Sequence, residues 1–296
     1  MGNLKDYIVT LVVLIVGSII AVASSQDATY YKGYPPLLIC MAVSFLIHWI
    51  IFIPSFINKT EKFFDITGTL GYISVLITSS YLAIRLSPDT LEFRSLIVIL
   101  FILTWTLRLG SFLFIRIIKS GADTRFDEVK KVFSKFLIWW SISALWVFLT
   151  SVNALTMIIN NKKTPDDTYL YIGVILWLVG FIFEVVADEQ KRRFNSNPNN
   201  SGKFITSGLW SISRHPNYFG EIVLWYGIAV ITFPTLEGWQ YLTLISPIFV
   251  TFLLLKVSGL NLLEQRAEDK WGKLESYKKY KESIEDITIE KSQYRP

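Results

Sequence analysis

The sequence has a single cysteine, Cys40, and only two histidines, His48 and His215, in 296 residues. One cysteine excludes an internal disulfide and a cysteine-only metal site. Two histidines leave too few nitrogen ligands for an ordinary metal centre, so no metal is expected. Cys40 and His48 stand eight apart in one apolar run, where packing accounts for both. The chain also lacks a glycine-rich P-loop and a G-x-G-x-x-G fingerprint, so any nucleotide would be held by helices and loops and not by a βαβ unit. It shows no internal repeat, no low-complexity tract and no stretch that reads as a soluble domain. The net charge of +5 is too modest to indicate a nucleic-acid partner.

What the chain does have is apolar length. It is 52% hydrophobic and 15% aromatic, with a mean hydropathy of +0.42; soluble domains rarely reach such values and multi-pass membrane proteins do. The expected fold is all-α: a polytopic bundle of about eight transmembrane helices forming a single integral membrane domain over 1–296, with an amphipathic C-terminal segment. The spans read as Tyr7–Ala23, Pro36–Ile57, Ile66–Leu86, Phe93–Ile118, Phe136–Ile159, Tyr169–Ala187, Glu221–Phe233 and Trp239–Val257. The seventh is short and needs Asn217 and Tyr218 in the same helix to approach full thickness. Pro234 to Gly238 then reads as a tight turn joining spans seven and eight into a helical hairpin. Ala21-Val22-Ala23 resembles a cleavage box, but the spans that follow favour an uncleaved first helix.

The cationic loops, Arg116–Lys135, Asp188–His215 and the tail from Arg266 to Lys281, fall on one side of eight spans, together with the N-terminus. By the positive-inside rule that side is the cytosol. The membrane would be the endoplasmic reticulum in a eukaryote or the inner membrane in a bacterium. The sequons at Asn58 and Asn199 would face the cytosol, so glycosylation is not expected there.

The densest polar stretch is Ser213-Arg214-His215-Pro216-Asn217-Tyr218-Phe219-Gly220-Glu221, immediately before the apolar run Ile222–Phe233. Polar groups at membrane depth are costly, so such a cluster marks a candidate site. Pro216 suits the first turn of a helix, where its missing N–H costs nothing. From that start Tyr218, Glu221 and Trp225 share one face, and Asn217 stacks on Glu221 at i, i+4. A helix N-terminus with Arg214 just before it favours a phosphate or carboxylate. A simple helix cap with interfacial aromatics is the plainer account, but a cap needs one polar residue and here there are five.

Three further clusters sit at the same cytosolic depth. Arg108 lies inside the fourth apolar run, followed by Arg116 and Gly121-Ala122-Asp123-Thr124-Arg125. A buried arginine needs a partner, either an anionic ligand or Glu184 or Asp123. In the sixth run Glu184, Asp188 and Lys191 share a face at i, i+4 and i+7, and Glu184 is embedded among apolar residues. In the tail, Glu264 to Gly272 with Tyr277 and Tyr280 suits a helix at the membrane surface; Glu264 and Tyr277 are placed to close over a cytosolic pocket. A shared pocket is the economical account: arginines for phosphates, carboxylates for ribose hydroxyls, and an apolar cavity for a lipid.

These motifs carry a family resemblance. Trp105 with Arg108-Leu109-Gly110, Asp123 with Arg125, Glu184 with Asp188-Glu189-Gln190-Lys191, Gly208-Leu209-Trp210 with Ser213 to Glu221, and Leu263-Glu264 resemble the steroid 5-alpha-reductase-like multi-pass membrane proteins grouped as the domain-of-unknown-function 1295 (DUF1295) family. The likeness covers about Phe64 to Ile284, leaving 1–63 as variable N-terminal spans. The wider superfamily includes steroid 5-alpha reductases, sterol reductases, and isoprenylcysteine or phospholipid methyltransferases. Asn217-Tyr218-Phe219-Gly220-Glu221 is similar to the C-terminal motif of the steroid reductases. Arg214 to Tyr218 with Gly220, and Lys270-Trp271-Gly272, are similar to the sterol reductases. Gln190-Lys191 with Phe194 and Pro198 resembles a sterol-reductase motif too, although Asp188 replaces the usual asparagine. In those reductases such segments contact NADPH; the methyltransferases use the Arg-His-Pro-x-Tyr part for S-adenosylmethionine.

The resemblance and the charge pattern together give Arg108, Arg116, Arg125, Asp188, Gln190, Lys191, Arg214, His215, Asn217, Tyr218, Glu221 and Glu264 as cofactor candidates. The catalytic groups stay open, with Tyr218 and Glu184 as candidates, and the N-terminal half offers no counterpart to the family's proton-donating residues. The leading expectation is an NADPH-dependent membrane oxidoreductase that reduces a carbon–carbon double bond in a steroid or other lipid. The alternatives are an S-adenosylmethionine-dependent lipid or prenylcysteine methyltransferase and a non-catalytic lipid- or sterol-binding membrane protein. S-adenosylmethionine carries no phosphate and does not need converging arginines. For the topology, protease-sensitive tags at both termini should stay intact in sealed cells treated from outside; cleavage of one tag would make the number of spans odd.

Overall fold

The computed structural model describes residues 3–26, 28–87, 90–121, 123–257 and 260–284. Regular structure among them is helical, apart from one isolated bridge between Tyr31 and Tyr34. Eight segments are long and apolar enough to cross a membrane, and the chain is a multi-pass integral membrane protein. Seven of them contain one α-helix each: α1 (Leu4–Ala23), α2 (Pro36–Ile57), α3 (Phe64–Leu86), α4 (Phe93–Ser120), α5 (Phe133–Asn160), α6 (Thr168–Ser196) and α7 (Pro216–Thr232). The eighth, Gly238–Val257, changes pitch twice: a 3₁₀ stretch Gly238–Leu244, then α8 (Ile245–Phe252), then a π stretch Leu253–Val257. Two polar helices follow, α9 (Leu260–Trp271) and α10 (Glu275–Ser283).

Local chemistry sets several boundaries. Asn3 and Asp6 form a reciprocal capping box at the start of α1. Proline opens both α2 and α7, where a missing N–H is free of cost. Gly121 and Asn161, both at positive φ, follow α4 and α5. The sixth helix outruns its expected apolar end at Ala187 by more than two turns. Glu189 explains this by accepting from both Arg192 and Arg193 at 2.6 Å, so i,i+3 and i,i+4 pairs carry the helix beyond its hydrophobic segment.

The chain forms two compact units. One comprises Met1–Leu170 and Ile231–Ser246; the other comprises Tyr171–Val230 and Pro247–Pro296. In the first, α5 is the central helix, contacted by α1, α2 and α3, and every residue from Val147 to Ile159 is buried. A polar seam joins α2 to α5: Ser44 donates to the Ala144 carbonyl at 2.8 Å, His48 Nε2 meets Ser143 Oγ at 3.2 Å, and the Trp49 indole donates to Ser141 at 3.0 Å. Buried polar groups in hydrocarbon need such partners. Cys40 is buried on the same helix.

In the second unit α6 and α7 run antiparallel, backbone against backbone. A Cβ added to Gly220 would lie 2.5 Å from the Gly180 carbonyl oxygen and 2.6 Å from the Glu184 nitrogen; one added to Gly180 would lie 2.5 Å from both Gly220 O and Leu224 N. Gly227 meets Trp177 N at 2.7 Å in the same sense. Small residues let membrane helices approach this closely. Gly180→Ala and Gly220→Ala should each cost about 1–3 kcal/mol or more through overpacking, measured as loss of thermal stability in detergent. Gly68, in α3 with nothing within 4 Å of an added Cβ, is the control, and Gly68→Ala should be neutral or stabilising by up to about 1 kcal/mol.

Candidate functional site

The glycine contact fixes which side chains of α6 and α7 meet. Glu184 stands one turn beyond Gly180 and is 2% exposed. One turn further, Asp188 is buried and its Oδ1 accepts from Asn217 Nδ2 at 3.1 Å. Glu221, next to Gly220, is also buried. The start of α7 thus meets a polar face on α6 through Asn217 and Asp188. Tyr218 is half-buried and stacks on the His215 ring at 5.6 Å between centroids.

The loop before α7 is held by α6. Gln190 Oε1 accepts the Leu209 N–H at 2.9 Å, and Gly208, at φ +64°, lies so close that any Cβ would be 2.5 Å from the Gln190 amide nitrogen. The Trp210 indole donates to the Ala187 carbonyl at 3.0 Å, and the Lys191 ammonium sits 4.4 Å from the Trp210 ring centroid. Gln190, expected to contact a cofactor, is thus engaged in shaping the 208–210 turn.

The tail closes over this loop. His215 Nε2 and Glu264 Oε1 are 2.8 Å apart. Arg214 Nη1 donates to the Lys281 carbonyl at 3.0 Å, in the last turn of α10, and Nη2 lies 3.5 Å from Glu264. Tyr280 donates its hydroxyl to the Trp210 carbonyl and the Trp271 indole donates to the Gly202 carbonyl, both at 2.6 Å. Phe204 packs among Trp271, Tyr277 and Tyr280.

These contacts enclose a cavity of about 240 Å³. Five cations line it, Lys191, Lys203, Arg214, Arg266 and Lys270, against one carboxylate, Glu264. Phe204, Trp210, Trp271 and Tyr277 supply aromatic wall. Burial drives the His215 imidazole below its ordinary pKa, against the opposing pull of Glu264. Burial raises Glu264, but the His215 hydrogen bond and the charges of Arg214 and Lys281 outweigh it and hold the carboxyl below the usual range. The pair is therefore neutral imidazole with carboxylate: Nε2–H donates to Glu264 and Nδ1 is left as an acceptor. That Nδ1, together with Asn217 Oδ1, is buried without a protein partner among the described residues. Burial also pushes the Tyr277 phenol up.

Three expected residues belong to the other unit and have their own contacts. Arg108 is half-buried, with its guanidinium 5.4 Å from the Phe112 ring centroid. Arg116 is exposed near the end of α4. Arg125 grips both oxygens of Asp123 at 2.5–3.0 Å, so that carboxylate is committed to Arg125. Burial raises Asp123, yet the arginine holds it below the usual range. Lys203 and Arg266 were counted at first only as loop and tail charge, and Lys270 also as part of the Lys270-Trp271-Gly272 motif. The spacing Glu264, Ala267, Trp271, at i, i+3 and i+7, was the available signal that one face of α9 looks inward.

The family model described as a protein of unknown function, DUF1295, matches residues 51–284. The chain belongs to the DUF1295 family. Among curated proteins, this DUF1295 chain is 38% identical over 68 residues to a probable O-methyltransferase of Ustilaginoidea virens, covering 23% of this chain and 24% of that one. It is 24% identical over 182 residues to the Delta(14)-sterol reductase of Arabidopsis thaliana, covering 58% and 47%. It is 29% identical over 76 residues to the 3-oxo-5-alpha-steroid 4-dehydrogenase 1 of Bos taurus, covering 26% and 29%. The chain thus spans from about a quarter to about half of the length of these relatives. No solved structure matches it.

The His215–Glu264 pair has a pH consequence. Both folded pKa values are depressed. Below its ordinary value of 6.5 the unfolded imidazole binds a proton that the folded one refuses, and at lower pH the unfolded carboxylate does the same. Stability should be level above about pH 7 and fall as pH drops towards about 5. His215→Gln should flatten the upper part of that slope in melting temperature recorded against pH.

Proposed function

We propose that this DUF1295 protein is a membrane oxidoreductase that uses NADPH to reduce a carbon–carbon double bond in a steroid or other lipid. The observation that carries the reading is the cavity at the N-terminus of α7, with five cations, one already-paired carboxylate and an aromatic wall. A phosphate-rich nucleotide matches that charge balance. The buried, unpartnered acceptors His215 Nδ1 and Asn217 Oδ1 match a ligand that brings hydroxyl or amide donors. The sterol reductase and steroid dehydrogenase names among the relatives supply the reaction class.

In this reading Lys191, Arg214, His215, Asn217, Tyr218, Glu221 and Glu264 hold or frame the cofactor, with Asp188 fixing the Asn217 amide. When bound, NADPH supplies a hydride. The protein's part is to exclude water, orient the alkene and provide the proton. Tyr218 is the candidate donor: it lies on the face of α7 that carries Glu221, and it stacks on a neutral imidazole. Glu184, buried in α6, is the second candidate and would act only in its protonated form.

The resemblance to a probable O-methyltransferase supports a second reading, with S-adenosylmethionine in the same cavity. That ligand has no phosphate for the cations. Titration of the purified protein with NADPH, NADH and S-adenosylmethionine separates the readings. NADPH should bind most tightly, and S-adenosylmethionine should not displace it. Tyr218→Phe should lower NADPH-dependent turnover of a sterol substrate by about 10²–10⁴-fold, a loss much larger than its effect on NADPH affinity. Tight S-adenosylmethionine binding without NADPH binding would transfer the chain to the methyltransferases.

A further inference from the structure

The cavity cations fall into two groups by what already holds them. Arg214 is only 9% exposed; one amine serves the Lys281 carbonyl, and another reaches Glu264. A cation on the last carbonyls of a helix satisfies orphan acceptors and the negative end of the dipole. Lys191 lies over the Trp210 ring. Glu264, the one carboxylate lining the cavity, is shared between His215, Arg214 and Lys281.

Of the other three cations, Lys270 lies over the Trp271 ring, 4.7 Å from its centroid, and none of the three is held by a carboxylate among the described residues. Lys203, Arg266 and Lys270 line the cavity, are exposed, and take part in no salt bridge among the described residues. Arg266 and Lys270 stand at i, i+4 on α9, a spacing at which like charges repel. Lys203 comes from the loop that Trp271 fastens through Gly202. The Trp271 and Phe204 rings line the same cavity, with centroids 5.8 Å apart. A planar base stacks on aromatic faces whatever its identity, and a phosphomonoester beside it would relieve the uncompensated charge.

We infer that Lys203, Arg266 and Lys270 are the anion-binding residues of this cavity, taking a phosphomonoester carried on the ribose of an adenine nucleotide, while Arg214 is a positioning residue that fastens α10. This rests on the nucleotide reading above and reassigns its charged contacts from the buried arginine to the rim. The rim then decides between nucleotides with and without that extra phosphate.

The test uses the full-length protein in detergent, with adenosine 2′,5′-bisphosphate and adenosine 5′-monophosphate as probes. Lys203→Gln, Arg266→Gln and Lys270→Gln should each weaken the bisphosphate by about tenfold or more, in line with loss of a charge-assisted contact. They should leave the monophosphate nearly unchanged. Lys135→Gln, an exposed cation outside the cavity, should change neither. Arg214→Gln should lower the melting temperature yet keep the bisphosphate-to-monophosphate ratio. If the rim variants bind the bisphosphate as tightly as the parent while NADPH still binds, the rim assignment fails and the cofactor reading stands. If the variants instead lose only binding to phosphatidic acid vesicles, the rim is a membrane-surface patch and the inference is overturned. If the parent binds neither adenine nucleotide nor NADPH, the cofactor reading falls and takes the inference with it.

Discussion

The approach of α6 to α7 at Gly180 and Gly220 is the constraint on which the candidate site depends. Two helix backbones meet with no side chain between them, which leaves one register and almost no latitude. In that register Glu184 and Asp188 on one helix face the segment holding Asn217 and Glu221 on the other. A helix pair separated by ordinary side chains could slide by a fraction of a turn, and the Asp188–Asn217 hydrogen bond would be lost first. The site is therefore specified by what two positions omit, in a solvent where the attraction between helices comes from close contact and polar pairing and not from the exclusion of water.

Electrostatics then divides the polar residues by depth. The ionised groups deep in the site are paired: Arg214 and Glu264 answer each other, and His215 is neutral and donates to Glu264, while Gln190 shapes a turn. Ionised groups removed from water must be paired in this way or forfeit their charge. Only at the cavity mouth, where water still screens them, can cations remain without a carboxylate. Motif residues that look like ligands in the sequence are thus partly the frame that holds the ligand's walls in place.

Much of the fold was legible in the sequence. The apolar runs marked all eight spans, α2 to the residue, because hydrocarbon leaves the backbone few options other than helix. The start of α7 at Pro216 followed from proline's fixed geometry. The extension of α6 to Ser196 did not, since hydropathy is blind to a helix continued by Glu189 and its arginines. Nor did the change of pitch along Gly238–Val257, which no hydrophobic pattern encodes. The dense Ser213–Glu221 cluster and Glu264 were visible as polar residues beside an apolar run. The role of Gln190 was not, because a side chain that accepts from a backbone N–H nineteen residues away leaves no local trace. Lys203 and Arg266 were indistinguishable from ordinary loop charge until α9 and the 202–210 segment were seen to face one cavity.

The chain's path through its two units bears on how such proteins diversify. The 231–246 segment leaves the unit that contains the cavity, and the chain returns to it at Pro247. Neither unit is encoded by one uninterrupted stretch of sequence. A single crossover between two relatives cannot exchange a whole unit; it delivers part of one joined to part of the other. Moving the cavity-bearing unit whole from one relative to another takes three joins, at 170/171, 230/231 and 246/247.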